Sequence, residues 1–165
     1  MFHDVLDEGF NVDHILIGPA GVFSIETKTW SKPSPSQPGI TFDGLALKVL
    51  GAEEDRKPII QARAQARWLH AFLEESTGRQ FKVHPVVLIP GWFIDSSAQR
   101  DRSVWVLEPK ALPKWLKDDP PNLSVEDVQL AAYHLSRHVR SQELDRERIQ
   151  RSFWHAMRSR SAKLD

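Results

Sequence analysis

Near the start of the chain, two short apolar runs face each other across a turn signal. Val12 to Ile17 is apolar except for Asp13 and His14, and Val22 to Ile25 is apolar except for Ser24. Gly18-Pro19-Ala20-Gly21 lies between them, and Gly/Pro clusters of this kind punctuate strands. The pattern predicts an antiparallel hairpin. Neither run alternates cleanly with polar residues, so both strands are expected to be covered on both faces. Ile40 to Phe42 and Leu45 to Leu50 flank Asp43-Gly44, which reads as a second hairpin with a two-residue turn. Lys82 to Pro90, with Val86-Val87-Leu88-Ile89 at its centre, predicts a buried strand, and Ser103 to Leu107 another.

From Pro58 the period becomes helical. Ile59, Ala62, Ala66, Leu69 and Leu73 recur three or four residues apart. Pro is tolerated in a first helical turn, where its missing N–H has no intrahelical partner, and Gly78 suits a C-terminal stop. A short helix is expected around Leu112 to Leu116, in a loop marked by Pro109, Pro113, Pro120 and Pro121. Ser124 and Asp127 resemble a capping box. They open a helix to about Arg140, followed by a separate, more basic helix from about Gln142 to Arg158. Ser31 to Gly39, with Pro33, Pro35 and Pro38, reads as a surface loop, and Glu53 to Lys57 as a charged connector. This order of elements around one core implies an α/β (α+β) fold with a mixed central sheet flanked by helices. Residues 1–110 would form that core, and 111–165 a helical part packed on or extending it.

Composition narrows the chemistry. A chain of 165 residues is long enough for one domain with a real core. Lys plus Arg and Asp plus Glu are 22 each, so an argument for nucleic acid must rest on where the charges lie. The chain has no cysteine, which excludes disulfides, thiolate nucleophiles and cysteine-held zinc. Met1-Phe2-His3-Asp4 has neither a basic nor an apolar leader character. No apolar run approaches the ~20 residues of a membrane span. A cytoplasmic protein without a membrane partner is expected. No Walker loop, dinucleotide fingerprint or Gly-x-Ser-x-Gly elbow is present, which leaves no support for a nucleotide cofactor or serine hydrolase chemistry.

The candidate chemistry sits in the first hairpin. Residues two apart on a strand share a face, so Glu26 and Lys28 project together, about 7 Å apart. If Pro19-Ala20 is the whole loop, Gly18 faces Gly21 and Asp13 stands opposite Glu26. A three-residue turn with Gly21 left-handed would put the two carboxylates on opposite faces. Pro19, with φ fixed near about −65°, fits the favoured two-residue turns poorly. Both registers stay open on turn chemistry. Facing carboxylates repel unless a positive group lies between them, and a hard divalent cation would neutralise both. The ordinary alternative is a set of solvated strand charges, against which the apolar Val22, Phe23 and Ile25 argue. A buried Glu and Lys would each cost several kcal/mol (about 2–7 for a polar group) without partners.

Asn11 to Trp30, Asn-Val-Asp-His-Ile-Leu-Ile-Gly-Pro-Ala-Gly-Val-Phe-Ser-Ile-Glu-Thr-Lys-Thr-Trp, resembles the signature of the NERD (nuclease-related) domain, assigned to the PD-(D/E)xK nuclease superfamily. Pro58-Ile-Ile-Gln61 is similar to the Pro-x-x-Gln opening of that family's next helix. The resemblance implies a restriction-endonuclease-like core. It also implies metal-dependent phosphodiester hydrolysis in DNA, with Mg2+ or Mn2+ held by Asp13, Glu26 and the Thr27 backbone carbonyl. Lys28 would orient the attacking water and steady charge on the phosphate, and Gln61 would support the site. The family usually places a helix with a Gly-Glu pair before the first strand. Its absence here implies a truncated or atypical member, or a domain of a larger multidomain or oligomeric assembly. The Asn common before Pro-x-x-Gln is Lys57. A catalytically inactive nucleic-acid-binding or protein-interaction module is the alternative reading.

Substrate contacts are sought in Trp30, which could shield the site or stack on a base, and in the basic stretch from Tyr133 to Lys163. Arg137, Arg140, Arg148 and Arg151 lead that stretch, but Glu143, Asp145 and Glu147 dilute it, which favours a solvated terminal helix. His134 and His138 share a helix face, a spacing that zinc sites use, but have no acidic third ligand nearby. His14 and Trp68, Trp92, Trp105, Trp115 and Trp154 read as structural residues.

Overall fold

The computed structural model describes residues 1–7, 9–31, 39–49, 52–99 and 102–161, excluding the side chains of Asp7, Phe10 and 154–161. The strands are β1 (Phe2–Asp7), β2 (Phe10–Gly18), β3 (Gly21–Thr27), β4 (Ile40–Phe42), β5 (Leu47–Val49), β6 (Val83–Leu88), β7 (Ile94–Asp95) and β8 (Trp105–Leu107). The helices are α1 (Lys57–Thr77), α2 (Leu112–Asp118) and α3 (Val125–Ser161). The main sheet runs β1-β2-β3-β6-β8. Its first three strands are antiparallel, and β3, β6 and β8 are parallel. This is the mixed sheet flanked by helices expected of a restriction-endonuclease-like core.

β3 sits at the centre, and Gly21 to Glu26 are all buried. On one face, Val12, Ile15 and Val22 pack with Leu69 and Leu73 of α1 and Ala131 and Leu135 of α3. On the other face, Phe23, Ile25, Val86, Trp105 and Leu107 pack against Leu112, Trp115 and Leu116 of α2. α1 follows the predicted stripe and ends at Gly78, left-handed with φ 70°.

Several expectations change. β1 and β7 were not foreseen. Instead of a single sheet, β5, β4 and β7 make a second, small one, joined to the core through Ile40, Phe42, Leu47, Ile59 and Trp92. Its hairpin pairs Phe42 with Leu47, so the loop runs from Asp43 to Ala46 and not only through Asp43-Gly44. Asp43 Oδ1 accepts the N–H groups of Leu45 and Ala46, both at 2.8 Å. These bonds, which lower the Asp43 pKa, hold a wider turn. The two C-terminal helices are one: α3 has 37 residues, and no Gly or Pro interrupts Val125 to Ser161. Most of the Pro/Ser loop (32–38), Leu50 and residues 162–165 lie outside the described residues. Among those described, no helix is long and apolar enough to cross a membrane.

Gly39 is required by close approach. A Cβ there would lie 2.2 Å from Phe93 O and 2.8 Å from Phe93 Cδ1. That same carbonyl accepts Ile40 N–H at 2.8 Å. Gly39→Ala is therefore expected to cost roughly 2–4 kcal/mol, seen as a lower urea midpoint; an unchanged midpoint would refute the close approach.

His84 stacks on Phe23 at 5.7 Å and lies 5.5 Å from Trp105. Burial lowers its pKa; Lys82 adds to the effect and Asp119 opposes it. The unfolded chain thus takes up a proton before the native state does. Stability is present above about pH 6.5 and falls as pH drops below it. His84→Phe should lose less stability than wild type between about pH 7.5 and about pH 5.5, and equal losses in urea titrations would exclude this role.

Candidate active site

Pairing of β2 with β3 decides where the charges meet. Gly18 pairs with Gly21 and His14 with Ile25, which is the register of a two-residue Pro19-Ala20 loop. Neither loop residue has a positive φ; that conformation falls on Gly21 at 142°. Pro19 O accepts the N–H groups of Asn122 at 2.9 Å and Leu123 at 3.1 Å. The segment leading into α3 therefore holds a turn that ideal hairpin chemistry would not select.

The recorded β2–β3 ladder stops at His14–Ile25, although both strands continue. Just beyond it, Asp13 Oδ2 accepts the N–H of Thr27 at 2.8 Å. The Asp13 side chain stands in for a ladder bond where the strands stop pairing. Side-chain alternation also breaks here. Phe2 and Val5 of β1, three apart, join the same core cluster, as do Val12 and Ile15 of β2, whereas a regular strand would send such pairs to opposite faces. Asp4 has φ 49°, the one positive value outside glycine among the described residues. The pairing order of Val5–Val12 and His3–His14 places Asp4 across from Asp13. This local left-handed turn lets β1 follow the irregularity with the same pairing on both sides.

Glu26 and Lys28 lie on the α1 side of β3. Glu26 is 3% exposed. Its Oε1 meets Lys28 Nζ at 2.6 Å, and its Oε2 accepts from Gln65 Nε2 at 2.7 Å. Lys28 Nζ also donates to Gln61 Oε1 at 3.0 Å. α1 thus presents two glutamines one turn apart, one to each member of the ion pair. Gln65 Nε2 donates as well to Asn11 O at 2.8 Å. Both neighbours are acceptors, which fixes the amide orientation. Gln65 Oε1 is buried without a donor among the described residues.

Gln65 escaped the sequence reading. It falls between Ala62 and Leu69 beside the apolar stripe of α1, where the period alone allows a solvated helix edge, and the structure buries it to 1% exposure. Among the described residues, no three His, Cys, Asp or Glu side chains gather as a metal-binding group. The oxygen donors at hand are Asp13, Glu26 and the Thr27 backbone. Such a hard-oxygen set, completed by water, suits magnesium better than zinc.

The other candidates are scattered. The Trp30 ring packs partly buried against the second sheet's core, and its carbonyl accepts Trp92 Nε1–H at 3.0 Å. Arg137, Arg140, Arg148 and Arg151 are exposed on α3; Arg137 lies 6.0 Å from the Tyr133 ring and Arg151 pairs with Glu147 at 3.3 Å. His138 packs on Phe72 at 4.8 Å and contacts Leu6 O at 3.3 Å, whereas His134 lies against Tyr133. His14 meets His3 with Nδ1 atoms 2.8 Å apart. Trp92 and Trp105 are buried and Trp68 and Trp115 half-buried; the Trp154 side chain lies outside the described residues.

Gln65→Leu is expected to leave Glu26 Oε2 without a donor and to destabilise the fold by roughly 2–3 kcal/mol. A urea midpoint equal to wild type would mean that Glu26 does not depend on this bond.

No curated protein and no solved structure matches the chain. A family model does: that of the nuclease-related domain, over residues 1–90, more than half the chain, with Asp13, Glu26, Lys28, Gln61 and Gln65 all inside the match. The chain belongs to the nuclease-related domain (NERD) family.

Proposed function

We propose that the protein is a metal-dependent phosphodiesterase acting on DNA. The observation that carries this reading is the arrangement at the parting of β2 and β3. There Asp13 holds the Thr27 N–H at 2.8 Å, and a buried carboxylate is ion-paired to Lys28 one step further along. Asp13, Glu26 and the Thr27 carbonyl are the donors that would hold Mg2+ or Mn2+. A bound divalent ion supplies Lewis acidity and lowers the pKa of a coordinated water.

The chain's own residues do the positioning. Gln65 fixes one oxygen of Glu26. Lys28 spends two of its three donor hydrogens on Glu26 and Gln61. The third is available to a phosphate oxygen or to the attacking water. Lys28 stays 28% exposed, so this positive point charge is within reach of substrate. No covalent intermediate is required.

A second reading, a nuclease-like binding module without activity, draws on one feature. Both Glu26 oxygens already have protein donors, so the carboxylate is satisfied as it stands.

Incubation of supercoiled and single-stranded DNA with protein in Mg2+, Mn2+ or EDTA separates the two. Cleavage should require the ion and fall by at least ~10²-fold in Glu26→Gln and Lys28→Ala. Mg2+ should also raise the melting temperature of wild type but not of Glu26→Gln. Cleavage that persists in both variants, or none with any ion, would sink the catalytic reading.

A further inference from the structure

Beside α1 lies a groove of about 560 Å³ whose lining includes Arg63, Arg67, His70, Gln80, Lys82 and Ser103 and, among the described residues, no carboxylate. At about 100° per residue, Gln61 and Gln65 flank the buried stripe of α1 on one side. Arg63, Arg67 and His70 flank it on the other. The groove is thus separate from the Glu26–Lys28 cluster, with the width of one helix, about 10 Å, between them.

Charge is concentrated here in a chain whose net charge is 0. Arg63, Arg67 and Lys82 come from two segments, the helix and the approach to β6. None of the three is paired with a carboxylate among the described residues. Arg63 is held in place: its Nη2 donates to Gly44 O at 3.1 Å and Ser103 Oγ at 3.3 Å, and its other N–H groups have no partner among the described residues. Arg67 and Lys82 are exposed. His70 is oriented by a 2.6 Å contact of Nδ1 with Phe81 O. Glu74, outside the lining, lies 3.6 Å from His70 Nε2 and accepts from Gln80 Nε2 at 3.0 Å, so its two oxygens are turned to His70 and Gln80 at the groove's edge. A concave, one-signed site with a pre-positioned guanidinium matches phosphate oxygens.

We propose that this groove binds the phosphodiester backbone of a nucleic acid, as an anchor across α1 from the candidate catalytic residues. The assignment deepens the reading of the chain as a DNA phosphodiesterase and rests on it for the identity of the ligand. It also moves the principal phosphate contacts away from the arginines of α3, where Glu143, Asp145 and Glu147 are interspersed.

The test is fluorescence anisotropy of a labelled oligonucleotide of about 20 nucleotides, single- and double-stranded, in EDTA so that no cleavage occurs. Arg67→Glu/Lys82→Glu should weaken binding at least ~10-fold near 100 mM salt and reduce the salt slope by about 2. Arg140→Glu/Arg148→Glu should change it less than ~2-fold. If the charge reversals lower the melting temperature, Arg67→Gln/Lys82→Gln gives the same comparison with a smaller loss.

Unchanged binding by the groove variants would overturn the proposal, as would no binding by wild type. Inorganic phosphate that competes as well per phosphate group as the oligonucleotide would reassign the groove to small anions and also overturn it. Weakened binding in the groove variants without any wild-type cleavage would keep the groove and remove the catalytic reading. Cleavage and binding at wild-type levels in those variants would do the reverse.

Discussion

A carboxylate with 3% exposure has lost nearly all its hydration, and the protein must supply replacement donors. For Glu26 these come from two directions, Lys28 just past the end of its own strand and Gln65 on α1, and Gln65 is itself held by donating to the carbonyl of Asn11 on β2. The requirement reaches outward. Gln65 can serve only if α1 lies over β3 at the depth set by Leu69, Leu73 and Val22. Lys28 is in place only while Gln61, one turn before Gln65, accepts its second hydrogen bond. Replacing the group by an apolar layer would be simpler for stability, since buried ion pairs often do no better than well-packed hydrophobic residues. The chain keeps the pair at the one point where its central strands part.

That parting is the second constraint. A sheet with continuous pairing between β2 and β3 would direct Thr27 N–H into a ladder bond and leave Asp13 to point away. Here Asp13 takes the bond itself. The left-handed Asp4 opposite it keeps β1 attached on both sides of the irregularity. A strained backbone of this kind costs on the order of 1–3 kcal/mol, and its position beside the cluster ties the strain to the site.

Much of this was legible in the order of residues. The α1 stripe from Ile59 to Leu73, the Gly78 stop and the hairpin around Pro19-Ala20 follow from periodicity and turn residues, which act locally. Glu26 and Lys28 share a face by strand parity alone. What local rules could not give depends on contacts far apart in the chain. The hairpin register hinged on Asn122 and Leu123, about a hundred residues from Pro19 by simple count. β1 was missed because Phe2 to Asp7 carries its irregularity in the middle and shows no clean alternation. The division of α3 was read from a change in composition after Arg140, whereas backbone chemistry offers no break there. Gln65 was hidden because a single polar residue beside an apolar stripe looks like an ordinary helix edge.

The position of β3 has a consequence for how the chain reaches this state. Phe23 and Ile25 face Trp105 and Leu107, while Glu26 and Lys28 face α1. A slip of one residue against β2 would exchange the two sets. The ion pair would then be driven into the aromatic layer under α2, away from both glutamines. Buried charge without its donors is far costlier than a mispacked methyl group, so this alternative pairing is heavily penalised during assembly. The same two side chains proposed to furnish the chemistry also proofread the sheet.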